Sequence, residues 1–102
     1  MRVLEFDVIN QELIKNRLCD FDNIVKNSGS MIAKFNISKE WSGCKIAASF
    51  VKLGDEFPVL IENGVCEIPQ KALTWNEFSV QIVGLKDGKF VKTNKLIIKQ
   101  EG

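Results

Sequence analysis

The chain has 102 residues, of which 14 are Lys or Arg and 13 are Asp or Glu, giving a formal net charge of +1 and a hydrophobic fraction of 45%. These values are typical of one globular domain, residues 1–102, and exclude an intrinsically disordered or membrane-embedded class. No block of basic residues is present, so we expect no nucleic-acid partner, because neutralising phosphates supplies most of the affinity in such complexes.

The N-terminal segment lacks the pattern of a targeting sequence. Glu5 and Asp7 fall where a signal peptide would carry its apolar region, and no run approaches about 18 apolar residues. We therefore expect no secretory signal and no membrane partner. Further along, Asp20 to Asn23 begins like a calcium loop, but Ile24 and Met31 stand where ligands would be needed, so this segment is interpreted as a polar bend.

Alternation of apolar and polar residues then predicts half-buried antiparallel strands through most of the chain. An N-terminal strand pair is separated from them by the turn residues Asn27 to Ser30. The residues predicted to share one face in each later strand are Met31, Ala33, Phe35 and Ile37; Ile46, Ala48 and Phe50; and Phe78, Val80, Ile82 and Gly84.

Trp41 follows the first of these strands, in the sequence Glu40-Trp41-Ser42-Gly43. A large ring at a strand junction can cap an open end of the core while its indole N–H reaches water or a backbone carbonyl. We expect this structural role for Trp41, with contact to a ligand or partner as the alternative. Trp75 is claimed by no periodic face, so both roles stay open for it.

Turn residues occur where hairpins need them. Asn63-Gly64 and Asp87-Gly88 are typical of the type I′ turn, whose twist matches paired strands, and Gly54-Asp55 predicts a further turn. Pro69 followed by Gln70 to Leu73 predicts one short helical turn, the only helix expected, with less than about a tenth of the residues helical.

The C-terminal run from Phe90 to Lys99 changes its apolar phase midway, which indicates a bulge or an edge position. Together these elements predict an all-β, immunoglobulin-like antiparallel β-sandwich with one short helical turn. A small closed barrel is the structural alternative.

The residues needed for common catalytic sites are missing. The chain has no histidine and no tyrosine, which removes the usual general base near neutral pH. Glycine-rich phosphate loops are absent, and the three cysteines, Cys19, Cys44 and Cys66, are spaced too widely for a zinc site or a disulfide scaffold. We expect reduced thiols, no catalytic residue, no metal and no cofactor, and hence no enzyme.

Four segments resemble small immunoglobulin-like structural proteins of prophages and tailed phages of Clostridium-like bacteria. The most diagnostic is a strand ending in Glu40-Trp41-x-Gly43, followed by a strand with Ala and Phe and then by Cys66-x-Ile68-Pro69. The matching segments are VINQEL (8–13), VKNSGSMIAKFNISKEWSGCKIAASF (25–50), ENGVCEIPQKAL (62–73) and FSVQIVGLKDGKFVKTNKLII (78–98).

This resemblance implies a non-enzymatic virion component of the baseplate, tail fibre or head decoration, located in the virion after synthesis in the host cytoplasm. Its partners would be other virion proteins, with a homo-oligomer also possible. The alternative is a stand-alone binding module for carbohydrate or another host-surface ligand, with Trp75 and Trp41 as stacking platforms. Longer members of such families often add a coiled coil or receptor-binding module, and no heptad pattern is present here.

The C-terminal run supplies the candidate interface. Leu96, Ile97 and Ile98 are consecutive apolar residues, so one face of this strand is expected to present apolar side chains outward. The residues assigned to the interface are Leu96 and Ile98, with Lys92 and Lys95 as charges that discourage open-ended sheet growth.

Overall fold

The computed structural model describes all residues, Met1–Gly102, as two β-sheets packed face to face. The first sheet contains four strands, β1 (Arg2–Ile9), β2 (Glu12–Lys15), β3 (Met31–Ile37) and β6 (Val65–Glu67). The second contains five, β4 (Lys45–Lys52), β5 (Asp55–Leu60), β7 (Glu77–Lys86), β8 (Lys89–Lys92) and β9 (Leu96–Lys99). The strand order is β2-β1-β3-β6 in the first sheet and β5-β4-β7-β8 in the second, where β9 also pairs with β7. The predicted all-β sandwich is confirmed.

Helix is limited to two 3₁₀ turns, Lys39–Trp41 and Gln70–Thr74, which together make up 8% of the chain. The second follows Pro69, as predicted, and the low helical content is also as predicted. The first was not predicted, because a single turn of three residues carries no periodic signal. No helix in the protein has the length and apolarity that crossing a membrane requires.

One strand pair differs from the antiparallel expectation. Strands β1 and β3 run parallel, with Phe6 opposite Phe35 and the two rings stacked at 5.2 Å between centroids. The hairpin partner β2 lies on the outer side of β1, and the segment 16–30 carries the chain back to the level where β1 began. Side chains alternate with period two in both kinds of pairing, so the sequence pattern does not distinguish them.

The predicted turns form, but one connects different strands from those expected and another lies one residue earlier. Asp87 and Gly88 have positive φ angles of 51° and 75° and close the β7–β8 hairpin as predicted. Asn63-Gly64 also forms a turn, but β5 pairs with β4 and β6 pairs with β3, so the turn passes the chain between sheets. The turn placed at Gly54-Asp55 is centred one residue earlier, where Leu53 has φ 50° and Gly54 has φ 85°.

The C-terminal run divides into two strands on the same edge of β7. Between them, Thr93 is buried and accepts the backbone N–H of Ile82 on its hydroxyl at 3.0 Å. The change of phase expected from the sequence lies in this break, so the residues after Asn94 face the opposite way from a continuous strand.

A single cluster of buried apolar side chains fills the space between the sheets. Phe6, Phe35, Phe50 and Phe78 supply much of its volume, and Trp41 closes one end of it. Burying side chains of this size is the main stabilising contribution in a domain of this length.

Candidate interaction surface

The outward face of the first sheet carries a polar network among the partly exposed apolar side chains of Val3, Ile9 and Val65. The amide of Asn36 donates to Glu5 Oε2 at 2.7 Å and to Asp7 Oδ1 at 2.9 Å, and Asn16 donates to Asp7 Oδ1 at 3.1 Å. The hydrogen bond from Asn36, followed by that from Asn16, lowers the pKa of Asp7, while burial acts weakly against them. The side chains of this network bond one another at the surface, so their hydrogen bonds do not require a partner molecule.

The outward face of the second sheet is apolar. Strands β4 and β7 direct Ala48, Phe50, Val80 and Ile82 into the core, so their sequence neighbours point away from it. The strand register then brings apolar side chains from all five strands onto this face, with Ser49, Ser79 and Gln81 lying among them. We call this set the apolar face, and its members are Ala47, Val51, Pro58, Leu60, Val83, Leu85, Phe90 and Ile97.

Phe90 is the most prominent member of the apolar face. Its side chain is 68% exposed, beside Leu85 on the neighbouring strand. A shallow groove runs across the sheet next to it and is lined by Ala47, Ser49, Glu56, Pro58, Val83, Phe90 and Lys92. Isolated exposed apolar side chains are common on protein surfaces, whereas a contiguous set of this extent is typical of an interaction site.

Two polar side chains at the centre of this face, Ser49 and Gln81, are hydrogen-bonded within the molecule. The Ser49 hydroxyl donates to the carboxylate of Glu56, and the side-chain amide of Gln81 donates to the backbone carbonyl of Thr93 at 2.8 Å. A partner covering the centre of this face would therefore leave few unpaired polar groups, which is the condition for favourable burial. Charged residues border this face: Glu56 and Lys92 lie on the two outer strands, Lys45 lies opposite Leu85, and Glu77 and Lys99 pair at the far end.

Trp75 continues the apolar face at one end of the sheet. It is 42% exposed and lines a groove together with Val51, Leu53, Phe78 and Ile97. Its backbone carbonyl accepts a hydrogen bond from the side-chain amide of Gln100 at 2.8 Å, which fixes the segment that carries the ring. Trp75 is thus available for contact with a ligand or partner, which is one of the two roles that the sequence left open for it.

Trp41 is not available. Its side chain is 3% exposed, and its indole N–H donates to the backbone carbonyl of Asn10 at 2.6 Å. The ring lies directly on Gly84 of β7, where a Cβ atom would approach Cζ3 of the indole to 2.7 Å. The core-capping role is confirmed, and the assignment of Trp41 as a contact aromatic is wrong because its faces are already covered.

The candidate interface from the sequence is corrected in part. Ile98 is 1% exposed and belongs to the core, and Leu96 packs against the core, so neither presents an apolar surface to a partner. The break at Thr93 shifts the strand phase and turns Ile97 outward instead. Lys92 and Lys95 are exposed as expected, and Lys92 borders the apolar face.

The edge of the C-terminal strands is also less open than the sequence suggested. The side chain of Asn94 accepts the backbone N–H of Leu13 at 2.7 Å and donates to the Leu13 carbonyl at 3.1 Å, joining the edges of the two sheets. Beyond β9, Glu101 bridges to Val25. These contacts occupy backbone groups that an added strand would need.

The apolar face can be detected in the sequence, but not when only one buried face is assigned to each strand. In KIAASFV (45–51) and VQIVGL (80–85), apolar residues occupy both alternations, because both faces of the strands are apolar. Strands of that composition indicate a sheet covered on both sides. Here one side is covered by the first sheet and the other is open.

Two further features considered in the sequence, the cysteines and the segment from Asp20 to Asn23, take part in the packing and hydrogen bonding of the fold. Burial raises the pKa of the Cys66 thiol to about 11. The Asp20 side chain accepts the backbone N–H of Asp22 at 2.7 Å, and the Arg2 guanidinium donates to the carbonyls of Asp20, Asp22 and Asn23. The segment is the expected bend, and no group of three or more His, Cys, Asp or Glu side chains is arranged to hold a metal ion.

Comparison with protein families, with curated proteins and with solved structures finds no match to this chain.

Proposed function

We propose that this domain is a non-enzymatic structural or assembly module of a phage particle, in the baseplate, tail fibre or head decoration. The observation that carries the assembly role is the apolar face of the second sheet, which is open to solvent in the isolated chain. The phage context is supported by the resemblance of four sequence segments to such proteins.

The contrast between the two outward faces favours assembly over simple solubility. On the first sheet a hydrogen-bonded network of Glu5, Asp7 and Asn36 lies between the half-exposed Val3 and Ile9. The second sheet exposes Phe90, which is 68% exposed, together with Ile97 and Leu60. Monomeric proteins seldom leave a contiguous apolar surface of more than a few hundred Å² uncovered. A face of this kind is expected to lie against another subunit in the assembled particle.

Particle incorporation tests the proposal. Phage particles purified from a lysate that expresses the tagged protein are expected to carry it, as detected by mass spectrometry of banded particles. Phe90→Glu is expected to reduce incorporation strongly, because it replaces the most exposed aromatic side chain of the apolar face with a charge. Ile9→Glu, a matched change of a half-exposed apolar residue in the first sheet, is expected to leave incorporation unchanged. Particles that lack the wild-type protein would refute the proposal.

A second candidate function is a binding module for carbohydrate or another host-surface ligand. It is favoured by one observation, the half-exposed ring of Trp75 beside the polar side chains of Asn76 and Glu77. Sugar rings stack on exposed indoles, and neighbouring amides and carboxylates then bind the hydroxyls. Binding on a glycan array that is lost in Trp75→Ala and retained in Phe90→Glu would support this function over assembly.

A further inference from the structure

We infer that the apolar face is the contact surface between two copies of this chain, which pair through their second sheets as a closed two-fold dimer. The inference rests on the proposed assembly role, and it goes further by naming the partner. Three features of the structure point to this arrangement, namely the blocked strand edges, the placement of charge around the face, and the extent of the face.

The strand edges disfavour edge-to-edge pairing. In the second sheet, edge strand β5 carries Pro58, which has no backbone N–H to offer to an added strand. At the opposite edge, β8 and β9 are interrupted by the break that Asn94 fixes to Leu13. In the first sheet, the same contact occupies outer strand β2, and β6 has only three residues. A partner therefore has the open face, rather than an edge, on which to dock.

The charges around the apolar face complement a second copy of the same surface. Glu56 on β5 and Lys92 on β8 lie on opposite outer strands and at different levels along the sheet, since Glu56 pairs with Val51 and Lys92 with Val83. A two-fold axis that crosses the face diagonally exchanges these two corners. Each Glu56 then lies opposite the partner's Lys92, and the side chains between them meet, with Ser49 and Gln81 at the centre and apolar residues on either side.

This arrangement is isologous, so it closes after two subunits instead of extending into a fibre. The diagonal axis also makes the strands of the two copies cross at a steep angle, which is one of the two preferred ways for sheets to pack. The formal net charge of +1 offers little long-range repulsion between copies.

The extent of the face sets the expected affinity. It is four strand positions wide at about 4.8 Å spacing, because β8 and β9 share one edge of β7, and about six residues long, roughly 15 to 20 Å by 20 Å. Two copies would bury roughly 600 to 800 Å² in total, which is below the standard interface size and typical of weak, transient contacts. The dimer is therefore expected to form at micromolar or higher concentration and to become dominant where many copies are held together in an assembly.

The first test is sedimentation velocity of the purified full chain from about 10 µM to about 1 mM, the range in which small interfaces associate. The weight-average mass is expected to rise from 11.5 kDa toward twice that value. Phe90→Glu is expected to weaken association by at least about tenfold, because it removes an exposed aromatic side chain beside Lys92 and puts a carboxylate in its place. Leu18→Glu, which changes an even more exposed apolar residue on a loop outside the face, is expected to leave it unchanged.

Charge exchange identifies the partner as a second copy in this orientation. Glu56→Lys and Lys92→Glu are each expected to weaken dimerisation, because each places like charges opposite one another. The double variant E56K/K92E is expected to regain most of the wild-type association, since Lys at 56 then faces Glu at 92 of the other copy. Circular dichroism of each variant verifies that the monomer remains folded.

The outcomes separate this inference from the proposed function. A strict monomer up to about 1 mM overturns the dimer, and incorporation into particles would still support the assembly role through another subunit. Dimerisation that is unaffected by Phe90→Glu, or a double variant that fails to recover, overturns the assignment of the contact to this face. Recovery in the double variant together with loss in both single variants supports it.

Discussion

The indole of Trp41 and the absent side chain of Gly84 form one packing unit. The ring fills the space above β7 that any Cβ at position 84 would occupy, at 2.7 Å from Cζ3. The same ring anchors the first 3₁₀ turn to the loop after β1 through its hydrogen bond to Asn10. The indole of Trp41 can therefore pack at the junction between the sheets only because residue 84 in the strand below it has no side chain.

Substitutions at these two positions are expected to be strongly coupled. Trp41→Ala should lower the free energy of unfolding by about 3 to 5 kcal/mol, the cost of removing a buried aromatic ring. Gly84→Ala should lower it by about 1 to 3 kcal/mol, because the added methyl group overpacks the site. In the Trp41→Ala background the cost of Gly84→Ala should disappear, as measured by urea unfolding in a double-mutant cycle. Costs that simply add would show that the ring and the glycine do not share this space.

Asp7 supplies the chain's clearest link between pH and stability. Hydrogen bonds from Asn36 and Asn16 lower its pKa in the folded state below the value of 3.8 expected for an unfolded chain. A lowered folded pKa gives stability that is present above the unfolded pKa and is lost as the pH falls through the folded pKa. Asn36→Ala is expected to raise the pKa of Asp7 and to reduce the loss of stability below about pH 4.

Carboxyl carbon chemical shifts, followed by NMR during acid titration, measure this change directly. Asn76→Ala is the matched control, because the Asn76 amide bonds Lys26 on another part of the surface and does not touch Asp7. An Asp7 titration curve that is the same in wild type and Asn36→Ala would contradict the assigned cause of the shift.

At the scale of elements, the turn between β4 and β5 is an unusual one. Its first central position is Leu53, which has φ 50° and is 68% exposed, followed by Gly54 with φ 85°. A type I′ turn favours Asn or Gly at that position, because a branched side chain in the left-handed region is strained. The exposed leucine contributes little packing in return.

Leu53→Asn is therefore expected to raise the free energy of unfolding by about 0.5 to 1 kcal/mol, a part of the strain that a left-handed residue carries. Urea unfolding of the monomer at low concentration measures it. Leu18→Asn makes the same chemical change at an exposed position without a positive φ, and it should give no gain. A loss of stability in Leu53→Asn would mean that the leucine packs on Trp75 more tightly than its exposure indicates.

Local features of the fold could be predicted from the sequence, and the pairing of distant elements could not. Period-two alternation located the strands, and Asp87-Gly88 located a hairpin, because both signals lie within a few residues. The parallel β1–β3 pair and the crossing at Asn63-Gly64 depend on where the chain travels afterwards. Neither leaves a local mark in the sequence.

The same distinction explains the candidate site. The role of Trp41 followed from its position between two strands. Ile98 was assigned outward because the break at Thr93 depends on a buried hydroxyl that bonds Ile82, a contact between residues 11 apart. The apolar face arises only when β5, β4 and β7 are placed side by side in register, with β8 and β9 along the edge of β7.

At the scale of the whole molecule, single side chains at two places fasten the sandwich along its C-terminal side. Asn94 bonds both backbone groups of Leu13 and so ties the second sheet to β2 of the first. Gln100 donates to the carbonyls of Ala72, at 3.3 Å, and Trp75, at 2.8 Å, which ties the end of β9 to the second 3₁₀ turn. Both contacts hold elements that are far apart in sequence.

The hydrogen bonds of Asn94 and those of Gln100 are expected to stabilise the fold independently. Asn94→Ala and Gln100→Ala should each lower the free energy of unfolding by about 1 to 3 kcal/mol, because each leaves backbone groups without their partner. Strand β9 separates the two positions by about 20 Å, so the double variant should equal the sum of the single variants within about 0.5 kcal/mol. Urea unfolding measures all three, and Lys95→Ala, an exposed neighbour of Asn94, serves as the neutral control. A double variant that costs much less than the sum would show that breaking either set of hydrogen bonds already releases the other.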